Sequence, residues 1–217
     1  MKAVIFDMDG VLVDNNAYHK KAWQECCANF NVPFDDGVWS QICGRNNHDT
    51  LDILFQGTLD ETQMAEYAGV KETTYRKLYG KHIQPVSGLL PFIEHIRKCG
   101  LRISLASSAG RENIDFVLDH LSLREFFDVI TAPETIRNGK PHPEIYLKTA
   151  ELLKLRPDEC VVFEDSLSGI ESAYRAGMKV IGVTTTHSSD EMNHTEFAIS
   201  DFNGLLNNPA FHSLLST

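Results

Sequence analysis

MKAVIFDMDGVLVDNN, residues 1–16, decides how this chain is read. Ala3 to Phe6 is an apolar run of the kind that forms a strand buried on both faces, and such strands belong to parallel sheets. Asp7, Asp9 and Asp14 follow it at once. Carboxylates at the end of a buried strand are costly unless a cation or a reacting group compensates them. A turn or capping cluster accounts for one aspartate readily and for three poorly. An EF-hand calcium loop does not fit, because the glycine of DMDG comes too early and a strand leads in. A phosphoryl-transfer loop with a bound Mg²⁺ does fit. Asp7 needs no activation to be ionised at neutral pH, so it can hold the metal and attack phosphorus. Gly10 permits a tight exit that brings Asp9 alongside as proton donor and acceptor, a role usually worth about 10² to 10⁴ in rate.

Working outward, short β-rich runs alternate with helical patterns. The runs are KAVIF, RISLAS (102–107), VITA (129–132), CVVFED (160–165) and KVIGVT (179–184), and the helical stretches between them start near residues 89, 111, 142 and 166. Pro143 near a first turn, and Gly100 and Gly177 at helix ends, are the usual start and stop signals. This alternation predicts an α/β fold, a doubly wound parallel sheet that binds its ligand where loops leave the carboxyl ends of the strands. The roughly seventy residues after Asp14 are helical in pattern and contain no convincing strand. They read as an inserted helical domain over 15–85, with 1–14 and 86–217 forming the core. In AYHKKAWQECCANF the apolar groups Tyr18, Ala22, Trp23, Cys26, Cys27 and Phe30 make one stripe, with Asn15 or Asn16 placed to cap it. GKHIQPVSG (80–88) suits the return linker.

With 217 residues, 42% hydrophobic and 23% charged, the chain has a globular composition and can bury a sizeable core. Twenty basic against thirty acidic residues give a net charge of -10, which argues against a nucleic-acid partner. Neither a secretory h-region nor a membrane span is expected, so a cytoplasmic, monomeric protein is anticipated. Five cysteines without C-x-x-C spacing read as reduced thiols.

DMDGVLVD resembles the first motif of the haloacid dehalogenase superfamily of phosphotransferases, and the remaining three motifs follow in order. The resemblance spans essentially the whole chain and implies a Rossmann-like core, a helical cap after strand 1, Mg²⁺ and an aspartyl-phosphate intermediate. It assigns Asp7 as nucleophile and Asp9 as acid and base. Ser107 in SLASS would hold the transferring phosphate, and Lys140 in GKPHPEIY would tie nucleophile to phosphate. In VVFEDSLSGIESAYRAG it implies Asp165 as a metal ligand with Asp7 and the Asp9 carbonyl, and Glu164 as an inner or outer helper.

Within the superfamily the chain is most similar to the β-phosphoglucomutase-like branch of phosphatases and phosphomutases. YHKKAW places His19 and Trp23 on one helical face, where His19 is either a substrate contact or a buried structural histidine. The same resemblance puts Gly44, Arg45, Asn47 and Lys71 of the cap, and Ser108, Ala109, Arg111 and Asn113 of the core, around the substrate. Two departures favour a phosphatase over a mutase. Asn15 stands where Thr or Ser is usual, and Asn47 replaces the arginine that grips a second phosphate. Hydrolysis of a small phosphorylated sugar is therefore the leading expectation. Interconversion of β-glucose 1-phosphate and glucose 6-phosphate comes second, and a non-catalytic sugar-phosphate sensor third.

Overall fold

The computed structural model describes residues 1–216. Six parallel strands form one sheet: β1 (Ala3–Phe6), β2 (Arg102–Ala106), β3 (Val129–Thr131), β4 (Cys160–Glu164), β5 (Lys179–Val183) and β6 (Phe197–Ile199). Their order is β3-β2-β1-β4-β5-β6, so β1 lies at the centre with β2 on one side and β4 on the other. In register, Phe6 faces Leu105 and Phe163. Every residue of β1 is fully buried, as a central strand covered by helices on both faces requires. Phe6 stacks on Phe163 at 5.2 Å between ring centres, and Phe92, Phe202 and Phe211 close round the pair.

Between β1 and the rest of the sheet the chain makes four helices: α1 (Asn16–Asn29), α2 (Asp36–Ile42), α3 (Asn47–Phe55) and α4 (Glu61–Tyr79). They enclose a small core of their own around Trp23, Cys26, Ile42, Leu51 and Met64. A capping box between Asp60 and Gln63 starts α4, the longest of them. The two linkers run side by side: Val13 bridges Pro85, and the Val86 N–H donates to the Leu12 carbonyl at 2.9 Å. The insert is seated on the core. Gly44 lies so close to Ser166 that a Cβ there would stand 2.6 Å from its hydroxyl. Gly139 meets Asn46 and Asp49 in the same way.

The core helices are α5 (Leu89–Lys98), α6 (Arg111–Leu121), α7 (Glu144–Leu153), α8 (Leu167–Arg175) and α9 (Pro209–Ser216). Three elements go beyond the sequence reading. β6 is a three-residue, half-buried edge strand, too short for alternation to register. α2, in DGVWSQI, is started by the Asp35 carboxylate, which accepts from the Val38 N–H at 2.8 Å. α9 buries Phe211 and Leu214 and packs Leu215 partly against the same core. Among the described residues no helix is long and apolar enough to cross a membrane. The cysteines are free thiols, with Cys26, Cys27 and Cys160 buried and Cys99 exposed.

Candidate active site

In a sheet of this order the chain reverses its winding between β1 and β4, and the loops leaving those two strands open a crevice there. Asp7 follows β1 directly; Glu164 ends β4 and Asp165 follows it. Their carboxylate oxygens gather within 4.8 Å of one another. All three residues are buried, Asp7 at 6%, Glu164 at 0% and Asp165 at 2% exposure.

Lys140 enters this acidic group from the segment before α7. Its ammonium donates to Asp7 at 2.7 Å and to Glu164 at 2.5 Å, and lies 5.1 Å from the centre of the Tyr146 ring. Glu164 is saturated: Lys140 and the Tyr146 hydroxyl donate to one oxygen, and the Asp165 and Ser166 N–H groups and the Ser166 hydroxyl to the other. Five donors fill the roughly four acceptor positions of a carboxylate. Glu164 is thus built to hold Lys140 in place. Gly169 makes this possible, because a methyl group there would overlap the Glu164 carboxylate.

Burial pushes the Asp7 carboxyl up to about 8, against the pull of Lys140 and with Glu164 and Asp9 adding to the rise. Burial, then Glu164 and Asp7, drive Asp165 well above its ordinary range. One oxygen of Asp165 accepts from Asn16 at 2.8 Å and from Thr186; one oxygen of Asp7 accepts from Lys140. The second oxygen of each is free of protein donors among the described residues. Two crowded carboxylates that resist ionisation, each with an unused oxygen beside one cavity, are what a hard divalent cation such as Mg²⁺ binds.

Ser107, directly after β2, is buried, and its hydroxyl accepts from the Ala109 N–H at 3.1 Å. Ser108 and Ala109 line the cavity, and Ser107 is not among its lining residues. Arg111 stands outside. At the first position of α6 its side chain runs along the helix to Asp115 at 3.2 Å, and it is 56% exposed.

The cap supplies the opposite wall. Asp9 accepts from the Asn15 amide at 2.6 Å and lies 3.4 Å from His19. Burial alone would raise the Asp9 carboxyl, but His19, Asn15 and Lys71 outweigh it and hold Asp9 below its ordinary value. Asn15 occupies the N-cap position of α1 without capping it, because its amide is drawn to Asp9 and to Tyr75, 2.6 Å away. His19 stacks on Tyr75 at 3.8 Å and meets the Lys71 ammonium at 3.0 Å. Lys71, itself buried, donates to Glu72 at 2.8 Å and lies over Trp23 at 5.0 Å. Trp23, Gly44, Arg45, Asn47 and Trp39 complete the wall. The cavity holds about 600 Å³, solvent at its mouth included. Arg45 turns back to the Gln41 carbonyl at 2.8 Å, and Asn113 reaches the site through Glu72.

This arrangement can carry a nucleophilic carboxylate, a fixed cation beside it, a second acid on a separate support, and a metal between strand tips. Residues 4–183 match the family described as haloacid dehalogenase-like hydrolases. The chain belongs to that family. A phosphatase of phosphorylated carbohydrates from Thermotoga maritima is 30% identical over 181 residues, covering 83% of this chain and 84% of its own. A β-phosphoglucomutase from Bacillus subtilis is 33% identical over 192 residues, covering 84% and 83%. In fold, the chain matches a β-phosphoglucomutase structure from Clostridium difficile over 100% of both chains, with a TM-score of 0.88 at 24% identity. As a haloacid dehalogenase-like hydrolase the protein is an enzyme, and its relatives include phosphatases and a phosphomutase.

Several residues of this family member escaped the sequence reading. Asn16, Thr186, Tyr146, Ser166 and Glu72 all touch a site acid or cation, and Tyr75 accepts from the Asn15 amide and stacks on His19. Tyr146 stands in GKPHPEIY and Glu72 directly follows Lys71, so their neighbours were legible. Asn16 and Thr186 carry no such signal, because 149 residues of chain separate Asn16 from Asp165.

Proposed function

We propose that this haloacid dehalogenase-like hydrolase is a Mg²⁺-dependent phosphatase of small sugar phosphates that works through a phosphoaspartate on Asp7. The observation that carries the reading is the convergence of Asp7, Lys140 and Asp165 at the crevice between β1 and β4. Asp7 and Asp165 would hold the metal with the Asp9 carbonyl, while Glu164 serves by fixing Lys140. When bound, Mg²⁺ supplies the positive charge that keeps Asp7 ionised and offsets charge on the transferring phosphoryl oxygens. Asp7 attacks phosphorus; the bond from phosphorus to the sugar oxygen breaks, and that oxygen takes a proton from Asp9. Asp9 then removes a proton from water, which attacks the phosphoaspartate and returns Asp7 with inorganic phosphate. Lys140 and the Ser107–Ala109 segment stabilise the phosphoryl group electrostatically. His19, 3.4 Å from Asp9, favours the ionised form of that carboxyl, the form that takes the proton from water in the second half of the cycle.

The mutase reading draws on the similarity to the Bacillus subtilis enzyme. It is disfavoured here because Asn47 donates to Glu72 at 2.8 Å and offers no charge to a second phosphate. Incubation with β-glucose 1-phosphate and a trace of the bisphosphate separates the two. Release of inorganic phosphate from this or another ester in a panel supports the phosphatase; accumulation of glucose 6-phosphate without it overturns that reading.

A further inference from the structure

The far end of the cavity is an unusual place for an anion, yet Glu72 stands in its wall. Three side chains from three elements hold it there. Asn47 at the start of α3 donates to one oxygen at 2.8 Å, Lys71 of α4 donates to the same oxygen at 2.8 Å, and Asn113 of α6 donates to the other at 2.5 Å. Asn113 is pinned in turn by Arg76, which donates to its carbonyl oxygen at 2.9 Å. Three donors leave about one acceptor position of the carboxylate unused. Lys71, the cation of this region buried to 3% exposure, has spent two of its three N–H bonds on Glu72 and His19. The other cation of the wall, Arg45, is turned toward Gln41.

We infer that Glu72 is a specificity determinant: it accepts a hydroxyl from the non-reacting end of the substrate and turns away a second phosphate. This rests on the phosphatase reading and narrows it to monophosphate esters whose far end is an uncharged polyol. A phosphate brought to this end would meet the Glu72 oxygen that only Asn113 holds, while the Lys71 ammonium is turned to the other oxygen and to His19. Like charges a few ångströms apart in a partly desolvated wall cost enough to change affinity by about tenfold to a hundredfold. A hydroxyl meets no such barrier and fills the unused acceptor position.

The test compares two pairs, fructose 1-phosphate with fructose 1,6-bisphosphate and glucose 1-phosphate with glucose 1,6-bisphosphate. Binding is measured by calorimetry on the Asp7→Asn protein, so that it does not depend on turnover, and kcat/KM is measured on the active protein. With Glu72 intact the monophosphate of at least one pair binds about tenfold or more tightly than its bisphosphate. Adding Glu72→Gln, which keeps the shape and one acceptor, shifts that ratio toward the bisphosphate by about tenfold, through KM rather than kcat. Equal binding within both pairs, no monophosphate binding at all, or a ratio that Glu72→Gln leaves in place overturns the inference. A strong monophosphate preference in binding, with no phosphate released from any ester, overturns the phosphatase reading and leaves the role of Glu72 standing.

Discussion

Replacing Lys140 by Met removes a buried ammonium and keeps the length of the side chain. Two carboxylates then lose a donor at once, Asp7 at 2.7 Å and Glu164 at 2.5 Å, and both are buried. Breaking a buried pair from one side costs about 3 to 5 kcal/mol, because the surviving charge is left uncompensated. In a chain of this size each kcal/mol moves Tm by about 2 to 4 °C, so a fall of about 6 to 20 °C is expected in metal-free buffer at pH 8. The loss must also depend on pH. Even with Lys140 present, burial holds Asp7 at about 8, above its unfolded value of 3.8. A carboxyl raised in this way contributes stability that is complete below the unfolded pKa and is lost as pH rises through the folded one. Removing Lys140 raises the folded value of Asp7 further, so the difference between variant and wild type is smaller near pH 5 and grows as pH rises through 8. Thermal denaturation followed by circular dichroism at both pH values, in EDTA, measures it. A drop below about 2 °C at pH 8, or the same drop at both pH values, would refute the argument that Lys140 compensates buried charge.

Asp7→Asn should abolish phosphate release while leaving metal-free Tm at pH 8 no lower than that of wild type, since it removes a buried charge; residual activity near wild type denies Asp7 the nucleophile's role. Adding Mg²⁺ at about a hundred times its dissociation constant should raise Tm by about 5 to 10 °C at pH 8. The rise should be smaller at pH 5, where Asp7 and Asp165 must first give up protons; equal shifts, or none, count against these acids as its ligands. Gly169→Ala, worth about 1 kcal/mol of added stability in an ordinary helix, should here lower both Tm and turnover, because the methyl group displaces Glu164. A stabilised, fully active variant would show that Glu164 does not need its place.

The strands and the order of the site acids were legible because one physical fact writes both: a doubly covered strand must be apolar to its end, and whatever polar group follows stands out. Asp7 after Phe6 and the Glu164–Asp165 pair at the end of β4 stand out in this way, whereas Ser107 was placed only by the resemblance to the family's second motif. β6 was not, since three half-buried edge residues impose no pattern. The cap was harder for a different reason. Asn15 looks like a helix cap in sequence, and only the approach of Asp9 and Tyr75, the latter sixty residues on, turns its amide elsewhere. Arg111 looks like a cavity residue because it follows Ser107 closely in sequence, but an arginine at the first turn of α6 finds Asp115 one turn on before it finds the cavity. Contacts that cross between lobes are set by docking, which no local pattern encodes.

The chain leaves the core at Asn15 and Asn16, and these two amides grip Asp9 and Asp165. In most lidded enzymes the pivot is a bystander that merely lets the lid swing. Here the two residues at the junction each donate to a carboxylate of the site, so a change at either one reaches the site acids directly.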